Sequence, residues 1–188
     1  MAQMGFYFDM TACIGCKTCQ VACRDRNSLY DAGEIFRRVD TYETGTYPAT
    51  RCYTLSDSCN HCAMPACLAV CPEGAISKDG ESGIVLIDEE ACIGCKSCIS
   101  ACPYGEPVFR EGLGKVYKCD SCLSLRIKDE LPSCVQACPQ RTLDFGDLEA
   151  LQAAYGSGSG ALVSETPMLP SADQTVPSLL IRESDAVG

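Results

Sequence analysis

Residues 92–103 read CIGCKSCISACP, and the spacing of the cysteines in this stretch decides which fold the chain can adopt. Four cysteines follow the pattern C-x2-C-x2-C-x3-C, and a proline comes directly after the last of them. The pattern returns three more times along the chain with small changes. Sixteen cysteines thus form four quartets, which are Cys13, Cys16, Cys19 and Cys23; Cys59, Cys62, Cys67 and Cys71; Cys92, Cys95, Cys98 and Cys102; and Cys119, Cys122, Cys134 and Cys138.

The quartet spacing is the signature by which bacterial ferredoxins hold cubane [4Fe–4S] clusters. The first quartet lacks only the proline, because Arg24 follows Cys23, and the second and fourth quartets carry insertions before their third cysteine. Three closely spaced thiolates can surround one cube when the backbone turns tightly. The helix that follows carries the fourth thiolate toward a second cube. The pattern therefore predicts iron–sulfur clusters that are bound in pairs.

Structural zinc is the alternative metal. Zinc prefers two separated C-x2-C pairs for each ion, and the fourth quartet, C-x2-C-x11-C-x3-C, fits a zinc ribbon about as well as it fits a cluster. The first and third quartets, with three cysteines at x2-x2 spacing, favour iron–sulfur chemistry. Taken together, the four quartets predict four [4Fe–4S] clusters.

Composition excludes several classes of function. Of 188 residues, 17 are cysteine, about 9%, a level at which metal or disulfide chemistry dominates a sequence. Only 7% are aromatic and none is Trp, so the ordinary apolar core is thin. A net charge of −10 disfavours binding to nucleic acid. The single histidine, His61, excludes a three-histidine zinc site. No nucleophile–base constellation or phosphate-binding loop is recognisable, so we expect no substrate site.

The sequence is expected to carry no export signal and no membrane span of its own. Residues 1–9 lack a basic region followed by a long apolar stretch, and no twin-arginine motif lies near them. No apolar run approaches the roughly 20 residues that a transmembrane helix needs. A secreted disulfide scaffold is disfavoured by the missing signal and by the odd number of cysteines.

The order of quartets and strands predicts an α+β, loop-rich fold of two ferredoxin-like two-cluster units, the second inserted within the first. A predicted strand at residues 83–87 separates the second and third quartets, as in a two-cluster ferredoxin. A strand at residues 5–9 and another after Cys138 resemble the outer halves of a further unit. The predicted boundaries are 1–58 plus 103–155 for the outer unit, 59–102 for the inserted unit, and 156–188 for a linker and an extended C-terminal arm.

Local patterns predict the remaining elements. The predicted helices lie at 20–25, 123–129 and 147–155, and the predicted loop insertions at 41–49 and 105–114. Residues 156–160, GSGSG, predict a flexible linker. The tail that follows is either disordered or an arm that orders along a partner. The apolar patch of Leu179, Leu180 and Ile181 favours the arm.

Four residues outside the ligand pattern carry further expectations. Cys52 lies in a strand-like run, where a free cysteine usually acts as a small buried hydrophobe. His61 precedes Cys62 and is expected to support the cysteines of its quartet rather than replace one. Lys17 and Lys96 each follow the second cysteine of a quartet. Their charge would raise the potential of a cluster, although solvated surface lysines are an equally good interpretation.

Motifs beside the quartets match one known family. They are GFYFD at 5–9, TACIGCKTC at 11–19, FRR at 36–38, SCNHC at 58–62, ACPYG at 101–105 and LDFG at 143–146. With these motifs and the order of its quartets, the chain resembles, over residues 4–152, the iron–sulfur subunit of the dimethyl sulfoxide reductase family of molybdopterin oxidoreductases.

The resemblance implies an electron-transfer subunit with four [4Fe–4S] clusters. Its partners would be a catalytic subunit that carries a bis-pterin guanine dinucleotide molybdenum cofactor (bis-MGD) and either a membrane quinol-oxidising subunit or a soluble electron donor. The complex would lie at a membrane after export with a twin-arginine partner, or in the cytoplasm. Its substrate would be an S- or N-oxide, polysulfide, thiosulfate, an arsenic oxyanion or an aromatic hydroxyl group.

The resemblance also implies that the clusters are ligated crosswise between quartets. The implied ligand sets are Cys13, Cys16, Cys19 with Cys138; Cys119, Cys122, Cys134 with Cys23; Cys59, Cys62, Cys67 with Cys102; and Cys92, Cys95, Cys98 with Cys71. A stand-alone polyferredoxin, or the relay subunit of a hydrogenase or formate dehydrogenase, is the alternative function.

Overall fold

A computed structural model of the chain describes residues 2–158 and 161–187, and within them the secondary structure is short and interrupted by loops. The strands are β1 (Met4–Asp9), β2 (Arg37–Thr44), β3 (Arg51–Ser58), β4 (Ile76–Lys78), β5 (Val85–Ile87), β6 (Val108–Arg110), β7 (Lys115–Tyr117), β8 (Leu143–Asp147), β9 (Leu162–Val163) and β10 (Leu179–Arg182). The helices are α1 (Thr18–Arg26), α2 (Ala66–Ala69), α3 (Ser97–Ala101), α4 (Leu123–Arg126), α5 (Ser133–Gln136) and α6 (Leu148–Tyr155), with a 3-10 helix at Ala172–Gln174.

Strand β1 is the centre of the largest sheet, whose strand order is β8-β1-β10-β9. The sequence MGFYFD has bulky apolar side chains on both faces, as a central strand covered on both sides requires. Phe6, Tyr7 and Phe8 are accordingly all buried. Phe6 pairs with Phe145 of the antiparallel β8 and with Leu179 of the parallel β10.

The pairing of β1 with β8 joins the two ends of the cysteine-containing region. Strand β1 precedes the first quartet, and β8 follows the last one. The rest of the chain forms three two-stranded antiparallel hairpins, β2–β3, β4–β5 and β6–β7. The chain thus has a small α+β fold with few helices and small sheets, which is the fold class that the sequence predicts. The insertion of one unit within the other, and the domain boundaries, stay predictions.

Two of the predicted loops are wrong in part. Residues 41–44 belong to β2, which pairs with β3 along its whole length. The cross-strand pairs of Thr41 with Thr54 and of Tyr42 with Tyr53 explain this, because such pairs stabilise a hairpin. The predicted loop at 105–114 contains β6. The three predicted helices are present, although the second ends at Arg126 instead of 129.

The apolar patch of the C-terminal tail packs on the chain itself. The patch forms β10 inside the chain's own sheet, where Leu179 and Ile181 are buried. The tail was expected to lie on another protein, but β1 offers it a free edge to pair with and an apolar face to cover. The predicted linker ends at residues 159 and 160, which lie outside the described residues.

No helix in residues 2–158 and 161–187 is long and apolar enough to cross a membrane.

Replacing Ile181 with alanine should destabilise the fold. The Ile181 side chain is completely buried, and truncation of such a side chain usually costs about 2–5 kcal/mol because it leaves a cavity. The midpoint of urea-induced unfolding, measured anaerobically on the holoprotein, should fall accordingly. The exposed Ile127 is the control, and Ile127→Ala should change the free energy of unfolding by less than about 0.5 kcal/mol. An unchanged midpoint for Ile181→Ala would contradict the docking of β10.

Candidate metal centres

The structure gathers sixteen of the cysteines into four groups. Three groups each line a cavity of about 20 Å³. The fourth group is buried, and its thiols interact electrostatically with one another. We number the groups as site 1 (Cys13, Cys16, Cys19, Cys138), site 2 (Cys23, Cys119, Cys122, Cys134), site 3 (Cys59, Cys62, Cys67, Cys102) and site 4 (Cys71, Cys92, Cys95, Cys98).

Each site combines three cysteines of one quartet with the last cysteine of another. The groups coincide with the sets that the family resemblance implies, so the structure brings the predicted site residues together. Their role as iron ligands stays a prediction.

Left-handed turns shape sites 1 and 4 in the same way. In site 1, Gly15 and Lys17 have φ angles of 65° and 60°, and in site 4, Gly94 and Lys96 have φ angles of 71° and 64°. These turns let the three closely spaced thiols face a common cavity before α1 or α3 begins. A Cβ atom on Gly94 would collide with the carbonyl oxygen of Gly114, so no larger residue fits there.

Site 2 is built by a loop and two packed helices. The backbone N–H of Ser121 donates a hydrogen bond to Cys119 Sγ at 3.3 Å. The carboxylate of Asp120 accepts hydrogen bonds from the N–H groups of Cys122 and Leu123, at 2.8 and 3.2 Å. Helices α1 and α5 pack against each other and bring Cys23 of the first quartet to this loop.

The buried thiols need a positive species beside them. Burial raises the pKa of Cys23 and of Cys59 to about 12, so both would stay protonated at neutral pH in the protein alone. Only the thiolate binds iron. A bound iron centre supplies the positive charge that keeps these sulfurs deprotonated, and this requirement fits the donor set.

The donors surround cavities rather than a single point. Within the described part of the chain, no three His, Cys, Asp or Glu side chains are arranged to hold a single metal ion. The cavity of site 4 has Ile76, Ile87 and Val116 among its walls. A cubane cluster has four irons that each take one thiolate. Four separated sulfurs around an apolar cavity therefore fit a [4Fe–4S] cluster.

Sites 1 and 4 each present one cysteine to solvent. Cys16 and Cys95 are exposed, whereas all four cysteines of site 2 are buried. The hydroxyl of Thr18 donates a hydrogen bond to Cys16 Sγ at 3.3 Å and lowers the pKa of that thiol. A hydrogen bond of 3.4 Å between Cys95 and Ser97 lowers the pKa of Cys95 in the same way.

The four sites follow one another in numerical order. Neighbouring sites share a helix or a contact. Helix α1 carries Cys19 of site 1 and Cys23 of site 2, and Lys118 on the wall of site 3 donates a hydrogen bond to the carbonyl oxygen of Cys119 of site 2. Helix α2 with Cys67 of site 3 packs against α3 with Cys98 of site 4. Sites 2 and 3 are therefore the inner members of a row, and the sites with an exposed thiol are its two ends.

The expectations for residues outside the sites have mixed outcomes. The prediction for Cys52 is wrong, because this residue is exposed and pairs with Glu43 near the turn of the β2–β3 hairpin. His61 is buried on the wall of site 3, and its Nδ1 accepts a hydrogen bond from the N–H of Val85 at 3.3 Å. Lys17 and Lys96 lie at the surface, and the Lys96 ammonium lies 3.7 Å from the Phe109 ring centroid.

Three further residues reach the sites without a signal in the quartets. Ser56 lies on the wall of site 1, and Thr175 and Lys118 lie on the wall of site 3. Lys118 precedes Cys119, so its position was a usable clue. Ser56 and Thr175 belong to β3 and the tail, and only the fold brings them to a site.

Comparisons with known proteins match this architecture. A family described as "4Fe-4S dicluster domain" matches residues 50–148, and one described as "4Fe-4S binding domain" matches residues 10–31. Two relatives are the anaerobic dimethyl sulfoxide reductase chains designated B. The one from Haemophilus influenzae is 43% identical, over 97% of the present sequence and 90% of that protein, and the one from Escherichia coli is 42% identical, over 96% and 88%. The sulfite dehydrogenase subunit of Allochromatium vinosum that is likewise designated B is 38% identical, over 79% and 70%.

Replacing Gly94 with alanine should empty site 4 alone. The added Cβ meets the Gly114 carbonyl, and the left-handed backbone is strained for alanine. We expect iron analysis of the purified protein to show a loss of about a quarter of the iron, one cluster out of four. Gly112 is the matched control, because a Cβ there meets nothing within 4 Å, and Gly112→Ala should keep its iron. Full iron content in Gly94→Ala would show that the tight turn is dispensable.

Proposed function

The chain belongs to the family of the iron–sulfur subunit of anaerobic dimethyl sulfoxide reductase, and from that membership we propose that it relays electrons through four [4Fe–4S] clusters within an oxidoreductase complex. The observation that carries the proposal is the row of four cysteine sites with an exposed thiol at each end. Iron–sulfur clusters exchange electrons without a substrate pocket. The chain is accordingly a non-catalytic subunit.

All sixteen cysteines of sites 1 to 4 act as iron ligands in this proposal, and each site holds one cluster. The crosswise grouping of the thiols supports it, since each site takes its fourth sulfur from another quartet. Cys52 is exposed on β3 and has no part in the ligation.

Electrons enter at one end of the row and leave at the other. Because sites 1 and 4 each have a cysteine at the surface, a partner can approach the cluster there closely. Sites 2 and 3 connect the ends through the interior.

The partner at one end is a catalytic subunit, and we propose that it carries bis-MGD. The relatives are named as single chains or subunits of larger enzymes, which supports a multi-subunit complex. The partner at the other end is a membrane quinol-oxidising subunit or a soluble donor, in a complex that lies at a membrane or in the cytoplasm. One relative is named for a reductase and another for a dehydrogenase, so a row of clusters of this kind carries electrons either toward the catalytic subunit or away from it. The substrate is chosen by the catalytic subunit.

The two-unit organisation is part of the same proposal. Residues 59–102 form the inserted unit, and the β4–β5 hairpin lies between its two quartets. Residues 1–58 and 103–155 form the outer unit, and the pairing of β1 with β8 supports their association.

Crosswise ligation predicts the effect of Cys102→Ser. The cluster at site 3 should be perturbed, because Cys102 lines that cavity with Cys59, Cys62 and Cys67. Electron paramagnetic resonance (EPR) of the reduced protein should show one changed cluster while the signal lost in Gly94→Ala stays intact. Cys52→Ser is the control and should leave every signal and the iron content unchanged. Perturbation of site 4 instead of site 3 would refute the crosswise pairing.

Anaerobic co-purification from the native host tests the partner. We expect a large subunit that contains molybdenum to copurify, identified by mass spectrometry and metal analysis, together with about sixteen irons per copy of this chain. A brown protein with that iron content, without molybdenum and without a stable partner, would favour a stand-alone polyferredoxin. A colourless protein containing zinc would contradict both.

A further inference from the structure

Arg37 is a buried cation that has no carboxylate beside it. Its side chain is 2% exposed, and among the described residues no carboxylate oxygen lies within 4 Å of its nitrogens. The nearby acids Asp57 and Glu106 pair with the neighbouring Arg38, at 3.3 and 2.7 Å. A buried charge without a counter-charge is strongly unfavourable. Asp57 and Glu106 thus act on Arg37 only at longer range, and Arg37 has no directly bound counter-ion among the described residues.

Neutral groups hold the guanidinium in place. Nη1 donates a hydrogen bond to Ser56 Oγ at 3.0 Å, and Nη2 donates to Ser58 Oγ at 2.8 Å. The guanidinium carbon lies 4.7 Å from the centroid of the Phe6 ring in β1. These contacts fix the position of the charge, but they do not neutralise it.

Cysteines of two sites pack near this charge. Ser56 Oγ, which binds the guanidinium, also lies 3.6 Å from Cys19 Sγ of site 1. Cys19 of site 1 and Cys23, Cys119 and Cys134 of site 2 belong to one buried cluster with Phe6, whose ring the guanidinium covers. Burial lowers the pKa of Arg37, and negative charge on these cysteines would raise it above its ordinary value.

One donor of the guanidinium remains free. Arg37 Nε has no hydrogen-bond partner among the described residues, although it is buried. Buried polar groups are nearly always paired in native proteins. The Nε N–H of Arg37 is therefore free to donate a hydrogen bond to a sulfur atom of a cluster bound at the neighbouring cysteines.

We propose that Arg37 is the shared counter-ion of the clusters at sites 1 and 2, and that its charge raises the reduction potential of both. This inference rests on the proposed function, because it requires clusters at those sites. A positive charge stabilises the reduced cluster, which carries one more electron, relative to the oxidised cluster. Water and salt screen this charge little, because it is buried. Arg37 is thus a positioning residue that tunes the potentials of two neighbouring relay sites together.

The test compares Arg37→Met with Arg37→Lys in the complete purified complex. EPR-monitored redox titration gives the potentials, and the signals of sites 4 and 3 are identified with Gly94→Ala and Cys102→Ser. Arg37→Met should make reduction of the other two clusters at least tenfold less favourable, which is about 59 mV for one electron. Arg37→Lys keeps the positive charge and should therefore have potentials close to those of the wild type. Lys128→Gln is the control, because it removes an exposed charge that lines none of the site cavities and should leave all potentials unchanged.

Every outcome decides the role of Arg37. If Arg37→Met binds less iron than the wild type, the proposal predicts a loss of about half of the iron. The loss should be confined to sites 1 and 2, and Arg37→Lys should restore the iron; this result supports the proposal. Four unshifted potentials, or an equal shift or loss at all four sites, would overturn it and leave a structural role. A wild-type complex without four reducible clusters would instead refute the proposed function itself.

Discussion

The convergence of three sulfurs of one quartet and one distant sulfur on a small cavity is the constraint on which the rest of this structure depends. It explains why left-handed residues precede α1 and α3, since the chain must turn before each helix can start. It also explains the short elements, because the sites occupy space that an apolar core would fill in an ordinary domain. Each site takes a sulfur from another quartet, so the sites connect parts of the chain that are far apart in sequence.

Charge is the second requirement of such a fold. The chain has a net charge of −10 with its thiols neutral, and anionic clusters would add to it. The surface lysines offset little of this negative charge at the sites, because solvent screens them. The buried cations Arg37 and Lys118 lie instead among the cysteines, and the Lys118 ammonium donates a hydrogen bond to the carbonyl oxygen of Cys119 at 2.9 Å. Burial makes a single charge effective at more than one site.

The sequence was sufficient to predict what depends on local spacing. The quartets, β1 and the helices predicted at 20–25 and 123–129 follow from short patterns. Features that depend on distant contacts were missed. Nothing near Cys52 shows that it lies beside the turn of a hairpin, and nothing in the tail shows that β1 has a free edge for it. Ser56 was equally invisible, because its importance comes from two neighbours that are 19 and 37 residues away.

The parallel pairing of β10 with β1 has a consequence for biosynthesis. Strand β1 leaves the ribosome first, but both of its partners, β8 and β10, are made near the end of translation. Contacts of such long sequence separation form late and slow folding. The tail also closes over the loop before α2, where the N–H of Met64 donates a hydrogen bond to the carbonyl oxygen of Thr175 at 3.0 Å. The sheet around β1 is therefore completed only after β10 has been synthesised, and until then β1 lacks the strand that covers its second edge.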